Sequence, residues 1–124
     1  MNTTIRPLLF SCLMLMSAVT YAEEMVVVAH PRSGIDRLSR AEVINIFMGR
    51  FRQLPSGISA QPVDLPQAYP EKARFYRALV NKDLAEINSY WSRLVFSGRT
   101  APPMEAKNHE DLINIISRTP GAVG

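Results

Sequence analysis

The segment at residues 62–77, PVDLPQAYPEKARFYR, constrains the fold more than any other stretch of the chain. It begins as a buried strand at Pro62 and Val63, passes the carboxylate of Asp64, and crosses a turn that holds Pro66 and Pro70. It then opens a helix with Glu71, Lys72 and Arg74. A strand that runs into a helix N-terminus commits the chain to an α/β arrangement. It also makes a place for a ligand, because the first helical turn presents unpaired N–H groups carrying partial positive charge.

The N-terminal residues read as an address rather than as fold. Residues 1–6 carry one positive charge, residues 7–19 are almost wholly apolar, and Thr20-Tyr21-Ala22 places small residues where a signal peptidase cuts. The apolar run is too short for a stable membrane anchor, and no stop-transfer pattern follows it. Residues 1–22 are therefore expected to be a cleaved secretory signal and residues 23–124 the mature domain. The sole cysteine, Cys12, lies in the signal, so the mature chain has neither disulfide nor thiol chemistry. A lipoprotein cut before Cys12 would shorten the apolar region and place bulky Phe10 near the cleavage point. About a hundred residues make one small domain. Fourteen basic residues against eleven acidic ones, evenly spread, are too slight an excess to argue for nucleic acid.

Taken in order, Met25-Val26-Val27-Val28-Ala29 is a continuous apolar run before His30-Pro31, expected to be a central strand buried on both faces. Ser39-Arg40-Ala41-Glu42 is a capping box. It opens a helix with Val43, Ile44, Phe47 and Met48 on one stripe, which stops at Gly49. Residues 58–63 read as a second strand, giving a strand–helix–strand unit with a right-handed crossover. The helix after Pro70 turns Ala73, Tyr76 and Val80 inward, with Phe75 and Leu79 beside them. Asp83 to Glu86 is a further capping box, followed by Leu84, Ile87, Trp91, Leu94 and Val95 at helical spacing up to Gly98. Residues 99–107, with Pro102-Pro103, read as loop. Asn108 caps a last helix that buries Leu112, Ile113 and Ile116. Ala122-Val123-Gly124 reads as the opening of a strand that breaks off.

Three motifs then combine: Leu38 to Val43 running on to Ile46-Phe47-Met48-Gly49-Arg50, Tyr90-Trp91 with Phe96-Ser97-Gly98-Arg99, and Thr119-Pro120-Gly121-Ala122-Val123-Gly124. Together they resemble the phosphate-binding proteins of ABC transporters, in particular short, single-lobe substrate-binding-like relatives. The resemblance covers nearly all of the chain from Met25 onward. It implies a single lobe of the type 2 periplasmic-binding fold: a small, mostly parallel sheet flanked by about four helices, secreted to the periplasm, with oxyanion capture at helix N-termini. Two features depart from that pattern. The family's second lobe is missing, and its Ser-Gly-Thr phosphate turn is replaced by residues 64–70, where Pro70 has no N–H to donate and Tyr69 is bulky.

The candidate ligand-binding residues are Asp64, Gln67, Tyr69, Arg74, Arg99 and Ser33, and the expected ligand is a small oxyanion, phosphate by the resemblance. Asp64 either accepts a hydrogen bond from a protonated ligand or starts the turn. Arg74 and Arg99 either neutralise an anion or sit on the surface. Gln67 and Tyr69 face the site only in a tight turn, and Ser33 with Gly34 offers a hydroxyl or is a plain turn. Trp91, at core spacing, reads as core. His30 and His109 lack partners at metal-ligand spacing, no serine sits in a nucleophile elbow, and no cofactor is implied. The expectation is a non-enzyme, either a weak oxyanion binder or an interaction module accessory to an inner-membrane transporter or sensor.

Overall fold

The structure is a computed structural model that describes residues 25–98 and 100–124. The expected signal peptide with Cys12, and the candidate Arg99, lie outside the described residues. Those residues form an α/β fold: four helices around a small, open, parallel three-stranded sheet.

Helix α1, Arg40–Phe47, starts where the capping box places it. The Ser39 hydroxyl accepts the Glu42 N–H at 3.1 Å, and the Ser39 N–H donates to the Glu42 carboxylate at 3.0 Å. It ends as Met48 passes to Gly49, whose φ of 75° lies in the left-handed region. A Cβ on Gly49 would also stand 2.7 Å from the Trp91 ring. Strand β1, Gln61–Asp64, leads into α2, Pro70–Val80, which has no side-chain cap and starts with proline in its first turn. Asn81, at a φ of 54°, ends it. Helix α3, Leu84–Phe96, carries the second capping box on Asp83, and α4, His109–Arg118, is capped by Asn108. Strands β2, Met104–Glu105, and β3, Ala122–Val123, complete the sheet in the order β2-β1-β3. Both pairings are parallel, with Asp64 opposite Glu105 and Pro62 opposite Val123.

The core has three parts. Val43, Ile46, Phe47, Leu54, Leu79 and Val123 form one cluster, with the Phe47 and Phe75 rings edge to face at 4.9 Å. Val63, Ala106, Leu112, Ile116 and Ala122 join the sheet to α4. Met48, Tyr76, Ile87 and Trp91 join α1, α2 and α3, so Trp91 is a core residue.

Several expectations are corrected. The run at residues 25–29 is not a central strand: Met25, Val26 and Val27 are exposed, and the pairing is antiparallel to β3 at the sheet margin. Val28 and Gly124 exchange N–H···O bonds of 2.7 and 3.0 Å, and Ala29 bridges Val123. Apolar, β-branched composition signals an extended backbone without saying which strands flank it. The expected strand–helix–strand unit is consequently not formed between this run and β1. The second strand begins at Gln61 rather than Ile58, since Ser59 turns back to bridge Gln53. Residues 99–107 are not all loop, because Met104 and Glu105 pair with β1 after the two prolines. Val95, like Phe96, is exposed at the end of α3, and Ile113 is exposed on α4, whose buried stripe follows Leu112 and Ile116.

Candidate functional site

Asp64 ends the central strand, and Lys72 and Tyr76, four residues apart on one face of α2, meet it there. The Tyr76 hydroxyl, fully buried, lies 2.8 Å from both Asp64 carboxylate oxygens. The Lys72 ammonium sits 3.8 Å from Asp64 Oδ2 and 3.7 Å from Glu105 Oε2, the residue that the register sets opposite Asp64. One network thus ties β1, β2 and α2 together. Its third tie is the Ala106 N–H, which donates to the Asp64 carbonyl at 2.8 Å.

Burial decides the acid–base state of this cluster. Removal from water pushes the Asp64 carboxyl up to about 6, further raised by the Glu105 carboxylate and opposed by the Tyr76 hydrogen bond and the Lys72 charge. Tyr76 is pushed upward too, by burial first and then by its carboxylate neighbour, so its hydroxyl stays protonated. A single phenolic proton satisfies one oxygen at a time. The phenol serves the ionised carboxylate best, so its hydrogen bond opposes the upward shift that burial causes.

This shift has a sign. Folded Asp64 holds its proton more tightly than unfolded Asp64, so between roughly pH 4 and pH 6 the native state binds more protons and stability falls as pH rises. The contribution is present below the unfolded pKa and is lost through pH 6, on the order of 2–3 kcal/mol. Urea unfolding from pH 4 to pH 7.5 is expected to show this falling component, and Asp64→Asn to remove it. An unchanged pH profile in the variant would refute the assignment. Tyr76→Phe is expected to cost about 2 kcal/mol at pH 7.5, the range for a hydrogen bond to a charged group, and less at pH 5, where Asp64 is neutral. Equal losses at both pH values would show that the hydroxyl does not serve the carboxylate.

Beside this network lies a cavity of about 240 Å³ between β1, α2 and α4. Val63, Phe75 and Leu112 are among its apolar walls, while Asp64, Glu71 and Lys72 supply charge. Glu71 is divided in its contacts. Its Oε1 faces Arg74 at 3.7 Å and His109 at 4.0 Å, whereas its Oε2 is closed off from solvent and accepts no hydrogen bond among the described residues.

The structure brings only some of the expected site residues to this corner. Asp64 is central to it. Tyr69 is half-buried at the start of α2, with its ring edge to face with His109 at 5.1 Å and its N–H on the Pro66 carbonyl at 2.9 Å. Gln67 is exposed on the turn, and Arg74 is exposed beside Glu71. Ser33 is buried elsewhere: its Oγ accepts the Ile35 N–H at 3.3 Å and its carbonyl accepts the Ser56 hydroxyl. The partners that the sequence reading missed are Lys72, Tyr76 and Glu105. The four-residue spacing of Lys72 and Tyr76 after an isolated Asp could have signalled the first two, but Glu105 depends on a pairing that the prolines concealed. Compared with known protein families, with curated proteins and with solved structures, the chain matches none.

Proposed function

We propose that the domain is an exported single lobe of the type 2 periplasmic-binding kind, related to phosphate-transporter receptors, that serves as an interaction module for an inner-membrane transporter or sensor. The observation that carries this reading is the state of the corner between Asp64 and Arg74. Pro70 has no N–H, the Tyr69 and Lys72 N–H groups donate to the Pro66 and Tyr69 carbonyls, and the Lys72 ammonium lies between two carboxylates. An oxyanion would have to displace internal partners and approach a surface that carries Asp64, Glu71 and Glu105. Large apolar side chains stand in solvent, among them Val26 and Ile113 by the cavity and Val95 and Phe96 at the end of α3, as at a contact surface.

A second reading is weak phosphate capture. It is favoured by Lys72, the cation that the fold holds, mostly buried, at the start of α2. Protonation of Asp64 would leave that ammonium less engaged, so any capture should strengthen toward acid pH. Thermal melts in phosphate, sulfate and chloride at matched ionic strength separate the two, since a ligand that binds only the native state raises its Tm. The expected result is no phosphate-selective rise at pH 7.5, together with binding to inner-membrane vesicles that is lost on protease treatment of the vesicles or on Phe96→Glu. A phosphate-selective rise of several degrees, abolished by Lys72→Ala, would replace the interaction reading with the second one.

A further inference from the structure

The sheet has two margins, and they differ in how they are closed to a further strand. At the β2 margin the strand is two residues long, ends in the charged Glu105 and follows Pro102-Pro103. Shortness, charge and proline are the devices that keep an edge from pairing. The margin at residues 25–29 has none of them: Met25-Val26-Val27-Val28-Ala29 is uncharged and rich in valine, with no proline before Pro31. Its backbone is also half used. Val28 exchanges both N–H···O bonds with Gly124, and Ala29 stands opposite Val123. In an antiparallel pairing the main-chain groups of successive residues face alternate sides, so those of Val27 and Ala29 point away from β3. Neither residue has a main-chain hydrogen bond among the described residues.

We infer that this margin pairs with the same margin of a second copy, as antiparallel strands about a two-fold axis at Val27. Centred there, the register sets Val27 against Val27 and Met25 against Ala29, so the outward-facing main-chain groups of all three residues meet partners. Val26 falls opposite Val28 of the second copy, which takes its side chain, 75 % exposed, out of water. The flanking sequence fits the same register. Glu23 and Glu24 precede the run and His30 and Arg32 follow it, so acid in one copy is brought toward base in the other. A foreign strand would have to match this pattern, whereas a second copy has it by symmetry. The contact is one strand wide, less than a permanent dimer buries, so the association is expected to be reversible. The inference goes beyond the interaction reading and does not rest on it, because it uses the sheet margin and leaves Val95 and Phe96, at the end of α3, open to a membrane partner.

Sedimentation of the full chain over a concentration series at pH 7.5 is expected to show a reversible monomer–dimer equilibrium. Val27→Pro removes the N–H that each copy donates across the axis and takes no hydrogen bond from the monomer. It should weaken the dimer about thirtyfold, the factor for two hydrogen bonds, and leave the Tm of dilute protein unchanged. In a Cys12→Ser background, Val27→Cys sets two thiols face to face with Cα atoms about 5.5 Å apart, and mild oxidation should link the copies. Val26→Cys is the more exposed position, yet its two copies are offset along the strands beyond bridging distance and should link far less. Should Val27→Pro fold poorly, the two cysteine variants decide. A chain that stays monomeric into the millimolar range, equal linking at 26 and 27, or a dimer unmoved by Val27→Pro would each overturn the inference. So would a monomer whose binding to inner-membrane vesicles is lost in Val27→Pro, since the margin would then belong to the membrane partner.

Discussion

Phe47→Ala is expected to cost about 3–5 kcal/mol, the range for deleting a buried aromatic side chain. Phe47 is 1 % exposed at the end of α1, among Val43, Ile46, Leu54, Leu79 and Val123, and its ring meets the edge of Phe75. Its neighbours belong to a helix, a second helix and the sheet, so they cannot collapse together into the space it leaves. Phe47 is also part of the cavity wall, and its removal would open the cluster to that volume. A domain of this size has about 5–15 kcal/mol of total stability, so the variant should lie near its unfolding midpoint at body temperature. Each kcal/mol is worth about 4–8 °C for such a domain. A Tm lowered by roughly 20 °C, with Phe47→Leu lowered far less, is the expected pair of results. A loss below about 1 kcal/mol for the alanine variant would mean that α1 does not pack as described.

The second large effect is expected at Gly121, which precedes β3. A Cβ built there would lie 1.8 Å from the Ser59 carbonyl oxygen, a main-chain atom that cannot rotate away. The Gly121 carbonyl meanwhile accepts the Gln61 N–H at 2.8 Å, which fixes the distance between the two segments. Gly121→Ala must therefore push β3 away from β1 or break that hydrogen bond. Either response removes Ala122 and Val123, both fully buried, from their places in two core clusters. We expect at least about 3 kcal/mol of destabilisation, the upper end for overpacking, read as a fall in the urea midpoint with loss of amide protection at Gln61 and Val123. Gly98→Ala serves as the comparison. Its Cβ would meet nothing within 4 Å, so only its φ of 70° is strained and the cost should stay near 1 kcal/mol. Similar losses at the two glycines would show that close approach to Ser59 is not what requires glycine at 121.

These two positions also show what the sequence made legible. The α1 boundaries were readable because Ser39, Glu42 and Gly49 act locally, through bonds and dihedral angles within a few residues of themselves. The same holds for Asp83 and Glu86 in α3 and for Asn108 in α4. Gly121 stands in the terminal motif, but its reason lies in Ser59, far away in the chain. The apolar run at residues 25–29 misled for a related cause: local composition set its extended form, whereas its exposed margin position follows from which partners β3 already has. At the site, Asp64 was found because it sits at a strand end before a helix. Its chemistry was not found, since it depends on Tyr76 and Lys72 reaching across from α2 and on Glu105 arriving through β2.

The tie between Val28 and Gly124 has a consequence for time. The pair joins residues 96 positions apart, and β3 lies between β1 and residues 28–29. Long-range pairings of this kind must wait for the loops between them to close, which slows folding relative to helical contacts. During synthesis the helices α1 to α4 can form early, yet Val63, Phe47 and Leu112 would lack a shared wall until Ala122 and Val123 emerge. A growing chain thus stays without its finished core until nearly all of the described sequence has been made, a state in which it is open to other hands before it is closed to them.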